Sequence, residues 1–243
     1  LLSGLNDNMM VSIRKYILSL ASMLSGILLS AQADEVRTQY GRLTGQEKFP
    51  VLSYMELEPH EIPDAEEWKG VEGVQVSWGG IDVRYSKTSV PMASVKDKIT
   101  LSGWRGERVF AQAVVWTGVQ VEELNYEVTD LKGPRKSLIS SDFIKTGYVR
   151  YVLGDGYFSN GTGCGEWAKE PSRDSVLVAD CIDHLLDTMI LKPMQTQGIW
   201  FTCQIPSGVE PGLYTGDVIV RNGDKVIRKL KLSIQAREEI LPD

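Results

Sequence analysis

The chain has 243 residues but only two histidines and three cysteines, and it is poor in the patterns that announce a chemistry. Cys164, Cys181 and Cys203 contain no C-x2–4-C step, which excludes the common zinc frameworks. An odd count leaves at least one thiol unpaired, and three single pairings are open. Lys and Arg total 26 against 32 Asp and Glu, giving a net charge of -6, and no basic cluster stands out. That argues against a nucleic-acid partner, whose phosphates need clustered cations. No glycine-rich loop leaves a strand and opens a helix, so nucleotide binding has no support. Internal repeats and an amphipathic helical period are also missing downstream of the first 33 residues.

Paired catalytic groups are no better represented. Glu122 and Glu123 are neighbours in a strand-like stretch, so they point to opposite faces and cannot share a cleft. The densest reactive cluster holds Asp180, Cys181, Asp183, His184 and Asp187. It lacks the D-x-[DN]-x-[DN]-G order of a calcium loop, and no nucleophile is set against the histidine. The expectation there is an Asp-rich turn capped by its own side chains. His60, the other histidine, falls in an acidic stretch and is expected at the surface. No catalytic residue, metal site or cofactor is expected from these patterns.

What is present begins with an export signal. Arg14 and Lys15 precede the 14-residue apolar run Tyr16–Leu29, followed by Ala31-Gln32-Ala33. A basic region, an apolar run and a small-x-small site make a signal peptide over residues 10–33, cleaved between Ala33 and Asp34. The run falls short of the roughly 20 residues that span a bilayer, so no membrane span is expected after processing. The expected location is secreted, periplasmic or at the cell surface, where disulfides are permitted. Residues 1–9 read as upstream, non-domain sequence. Asn160-Gly161-Thr162 is a glycosylation sequon.

Residues 34–68 form an acidic lead-in interrupted by Pro50, Pro59 and Pro63, with a strand expected near Val51–Leu57 and a turn of helix after Pro63. Its carboxylates are expected to be a solvated face. From residue 69 to 236 short strands alternate with Gly/Pro turns. Val74–Trp78 and Ile81–Tyr85 flank Gly79-Gly80 and predict a hairpin. Val109–Trp116 is apolar on both faces except Gln112 and predicts a central strand covered on both sides. Strands are further expected over 98–102, 119–128, 143–153 and 175–180, with a turn at 130–134 and a polar loop over 183–197. Ile199–Val220 and the alternating run after Asn222-Gly223 predict three consecutive antiparallel strands. Tyr214, after a Pro-Gly turn, is placed to close a loop with its hydroxyl as a tyrosine corner does, or simply to pack in the core. The fold class is all-β: an antiparallel β-sandwich, jelly-roll or Ig-like, preceded by the signal-peptide helix.

Six tryptophans are many for this length, and sugar rings pack on aromatic faces. Trp78, Trp116 and Trp200 fall in strands and read as core. Trp104 lies in a loop-like context, as do Trp167 and Tyr157 in the glycine-rich stretch 154–173. These three are the candidate ligand-contact residues.

Several motifs in order resemble the N-terminal domain of bacterial glycoside hydrolase family 123-like proteins. They are Gly106–Thr117, Val149–Val152, Cys164-Gly165, Asp174–Asp180, Gln197–Phe201 and Ile205–Gly216. The resemblance implies a β-sandwich that precedes a catalytic (β/α)8 barrel. It also implies a parent β-N-acetylgalactosaminidase in which a consecutive Asp-Glu pair assists attack by the substrate's acetamido group. No Asp-Glu pair here matches that site; Asp34-Glu35 lies at the expected mature terminus. Residues 237–243 read as the start of a linker, and a barrel needs about 250 residues of its own. The expectation is a non-catalytic sandwich whose partner is the barrel of the full-length protein, with glycans as a further partner class. The alternative is a stand-alone carbohydrate- or surface-binding module.

Overall fold

A computed structural model describes residues 56–57, 59, 61–91, 94–154 and 176–242. The expected signal peptide, its cleavage site and the strand near residue 51 lie outside them. Asp64 opens a one-turn helix, α1 (Ala65–Trp68), by accepting from the Glu66 N–H at 3.0 Å. Twelve strands follow among the described residues. They are β1 (Val74–Gly79), β2 (Lys98–Arg105), β3 (Arg108–Thr117), β4 (Val121–Val128), β5 (Leu131–Lys132), β6 (Leu138–Ile139) and β7 (Ile144–Gly154). Then come β8 (Val176–Asp183), β9 (Met189–Leu191), β10 (Gln195–Gln204), β11 (Gly212–Asn222) and β12 (Lys225–Ile240).

They build two sheets. Sheet A has the order β1-β3-β10-β7-β8, and sheet B the order β2-β12-β11-β4-β9, with the small β5–β6 hairpin paired to β11. The all-β sandwich expected from the alternating runs is the observed architecture. One pair departs from antiparallel order: β2 runs parallel to β12, with Leu232 beside Ile99 and Ala236 beside Gly103. The two strands are separated by most of the chain, so no hairpin constrains their direction.

Between the sheets, Trp78, Ala113, Ile199, Phe201 and Tyr148 of sheet A meet Tyr214, Val218, Leu230, Leu232 and Ile234 of sheet B, all buried. The Trp78 ring meets the Phe201 ring edge-on at 5.4 Å, and its indole N–H donates across the gap to the Lys231 carbonyl at 3.1 Å. Alternation along β11 and β12 puts Tyr214, Gly216, Val218 and Val220 on one buried side, as their spacing predicts. β3 sits between β1 and β10, and its Ala111–Thr117 portion is buried on both sides. Its outward side, Val114 and Trp116, is covered by Trp68 of α1, with Val71, Tyr85, Val90 and Met194 around them.

Several local expectations are revised. Ile81–Tyr85 does not pair with β1. β1 pairs with β3 alone, with Val74 opposite Thr117 and Trp78 opposite Ala113, while the Tyr85 hydroxyl accepts from the Gly80 N–H at 2.9 Å and closes the turn instead. The polar loop expected over 183–197 contains β9 and the start of β10. The turn at 130–134 is the β5–β6 hairpin. The three terminal strands do not form one meander, because β10 belongs to sheet A and β11 to sheet B. The connection after Gln204 therefore crosses the sandwich.

Tyr214 holds that crossing. Its ring is fully buried and its hydroxyl lies 2.7 Å from the Glu210 carbonyl, to which it donates, and 2.8 Å from Ser137 Oγ. Gly133 lies against the ring; a Cβ there would come within 2.3 Å of Tyr214 Cε1, so no other residue fits without displacing the tyrosine. At the next turn Gly223, with φ of 55°, opens the two-residue link from β11 to β12. Tyr214→Phe is expected to lower unfolding free energy in urea by about 1 kcal/mol, the net worth of a partly buried hydrogen bond. An unchanged urea midpoint would show that ring packing alone holds the loop.

Candidate functional site

Two places in the sandwich gather polar chemistry, one at each end. The first is at the end where β2 turns into β3. Trp104 is in β2, not in a loop, and is 39% exposed. It remains accessible because β2 is the edge strand of sheet B and the residue points away from the buried side. A cavity of about 270 Å³ opens beside it, lined by Ser102, Gly103, Trp104, Glu107, Arg237 and Leu241. Glu107 is held in the turn by the Trp104 N–H, which donates to its Oε2 at 2.7 Å. Arg237, on β12, donates from Nε to Ser102 Oγ at 2.9 Å. Parallel pairing of β2 with β12 is what sets this arginine beside Trp104. An aromatic ring, an anchored carboxylate and an anchored guanidinium thus share one cleft.

The second place is a buried chain of alternating charges. Lys87 Nζ lies 2.6 Å from Glu56 Oε1, Arg150 Nε 2.7 Å from Glu56 Oε2, and Arg150 Nη1 3.1 Å from Asp183 Oδ2. The four side chains are between 4% and 13% exposed. Lys87 also donates to Gln197 Oε1 at 3.2 Å and lies 4.8 Å above the Tyr151 ring. Glu56 accepts from the Tyr151 N–H at 3.2 Å. Burial alone would push the Glu56 carboxyl up, but the Lys87 ammonium and the Arg150 guanidinium outweigh it and hold the group below the usual carboxylate range. The lead-in is therefore not wholly a solvated face: Glu56, one of its acids, is buried and paired with two cations. Its partners are 31 and 94 residues away, beyond any local pattern.

The acidic cluster resolves differently from the expected turn. Asp180, Cys181 and Asp183 belong to β8, and Asp180 is the extra residue of a bulge opposite Arg150 and Tyr151. Asp180 pairs with Arg84 at 2.8 Å, whereas Asp183 turns to Arg150 and caps the Leu185 N–H at 2.9 Å. His184 is exposed, its Nδ1 2.7 Å from the Thr146 carbonyl oxygen. The aspartates thus diverge, and among the described residues no group of three potential ligands could hold a metal ion. Cys181 and Cys203 carry no disulfide, and burial pushes the Cys203 thiol up to about 12, so it is no nucleophile at neutral pH. Trp167, Tyr157, Cys164, Ala33, Asp34 and His60 lie outside the described residues.

A buried carboxylate held below its free value stabilises the fold above the unfolded-state pKa, and this contribution fades as the pH falls through the folded value. Glu56→Gln is expected to cost about 3 kcal/mol at pH 7, since it leaves two buried cations short of a counter-charge. The difference between variant and wild type narrows as the pH falls below the unfolded-state carboxylate value of about 4.3 and on through the lower folded value. Thermal unfolding of both proteins across pH 3–8 checks this; a pH-independent difference would remove the charge from the explanation.

The profile of the family described as "Glycoside hydrolase 123 N-terminal domain" matches residues 78–222. Among solved structures, a family 123 glycoside hydrolase from Clostridium perfringens superposes with a TM-score of 0.60 at 20% identity, over 70% of this chain and 28% of that one. At that identity the likeness shows the fold alone. The chain thus spans under a third of that hydrolase. The human CEP192 PapD-like domain 7 covers 76% of this chain and 96% of that domain at 12% identity, but with a TM-score of 0.34. No curated protein matches the sequence. The family profile spans more than half of the chain and takes in β3, the Gly106 turn and the Pro-Gly-Leu-Tyr-Thr-Gly segment that ends in the Tyr214 lock. The chain belongs to the glycoside hydrolase 123 N-terminal domain family.

Proposed function

We propose that this sandwich is the non-catalytic N-terminal domain of an exported glycoside hydrolase and supports a catalytic barrel in the full-length protein. The observation that carries the reading is the family match over residues 78–222, joined to the 28% share of a much longer family 123 hydrolase. The described surface supports it. Glu122, Glu123, Glu238 and Glu239 are all exposed on strands. The parent activity that best fits is cleavage of a β-N-acetylgalactosaminide, with the chemistry housed outside this chain.

An accessory domain shows its neighbour an apolar surface. The outward face of sheet A offers one. Phe110, 40% exposed, lies against the partly buried Trp200 with the rings tilted and their centroids 6.0 Å apart. Ile182, paired with Val149, extends it toward the edge of β8.

The purified chain is expected to leave nitrophenyl N-acetyl-β-galactosaminide intact, and the polypeptide of the complete reading frame to hydrolyse it. Turnover by the chain alone would overturn the non-catalytic assignment. Export is tested separately: N-terminal sequencing of protein recovered from its source should begin at Asp34. A protein retaining residues 10–33 would overturn the export reading.

A further inference from the structure

We propose that the cleft beside Trp104 is a binding subsite for a single neutral sugar ring. The site is a feature of this chain's own residues and does not depend on the hydrolase reading. Its volume, about 270 Å³, lies at the small end of ligand pockets and suits one pyranose better than an extended chain. Trp104 supplies the apolar contact. Trp104, on the outer side of an edge strand beside Ser102 and Arg237, is 39% exposed and so leaves part of its ring open to a ligand. Sugar C–H groups pack on such a ring, and the indole keeps a polar edge for a hydroxyl.

The polar groups define the ligand class. Glu107 uses Oε2 to accept from the Trp104 N–H, and among the described residues its Oε1 has no partner. Arg237 uses Nε on Ser102, and its two terminal nitrogens are likewise open among the described residues. The cleft therefore offers an acceptor and a fork of donors, each held at one end by the fold, so little side-chain freedom is lost on binding. Vicinal hydroxyls, which both donate and accept, match that pair. The opposite charges cancel, and this discriminates against charged ligands. A phosphate or carboxylate attracted to Arg237 meets the Glu107 carboxylate, and a cation attracted to Glu107 meets the guanidinium.

One ring in an open cleft binds weakly, with Kd on the order of 1–10 mM. The test is a titration of the isotope-labelled chain with methyl N-acetyl-β-galactosaminide and methyl β-glucoside, following the Trp104 indole N–H by NMR. The expected result is a saturable shift of that signal. Trp104→Ala and Arg237→Met each weaken binding at least fivefold, read from the backbone amides of Ser102 and Glu107, with unchanged melting temperatures. No shift of the Trp104 indole with either glycoside overturns the proposal, as does an unchanged affinity in either variant. Equal affinity for inorganic phosphate would make the cleft an anion site instead and overturn it too. Because binding is read on the chain without turnover, neither outcome alters the hydrolysis test above.

Discussion

The hydrogen bond from the Tyr214 hydroxyl to the Glu210 carbonyl is the contact on which the sandwich depends. It sits where the chain leaves sheet A and enters sheet B, between the last residue of β10 and the body of β11. A crossing loop must bury backbone carbonyls near the core, and each one needs a donor. Tyr214 supplies one from a fully buried ring and reaches Ser137 in the β5–β6 region with the same oxygen. The bare Cα of Gly133 lets the ring approach. With this crossing in place, β11 can pair with β4 and β12, while β10 stays between β3 and β7.

A second constraint follows from sheet A having two apolar sides. Its inner side meets sheet B. Its outer side is covered in part by the segment carrying α1 and residues 85–90, and that covering is tied down by ions. Lys87 and Glu56 come from the covering segment, Arg150 and Asp183 from the sheet, and the pairs alternate in sign. Buried charges are costly unless each is matched, so such a chain specifies the placement of the segment more than it adds net stability. Where the covering ends, Phe110 is 40% exposed beside a partly buried Trp200.

Those two uncovered regions divide the surface by chemistry. The exposed part of the outer face of sheet A, Phe110 and Ile182, is apolar. The Trp104 cleft on the edge of sheet B is small, polar and charge-balanced, suited to a small neutral ligand.

By itself the sequence determined everything that depends on neighbours along the chain. Period-two alternation decided which residues of β11 and β12 are buried, Asn222-Gly223 decided their hairpin, the all-apolar run of β3 decided that it lies centrally, and Asp64 decided the start of α1. The motifs of residues 106–216 also carried the family. Only the tertiary structure decided which sheet each strand joins, because ladder partners compete over distances no local pattern records. β1 paired with β3 and not with Ile81–Tyr85, and β12 accepted β2 in parallel. The same holds for the polar groups. Glu56 looks like any acid of the lead-in until Lys87 and Arg150 close on it, and Trp104 becomes part of a cleft only when Arg237 arrives from the far end of the chain. Long-range pairing, not residue type, makes both sites.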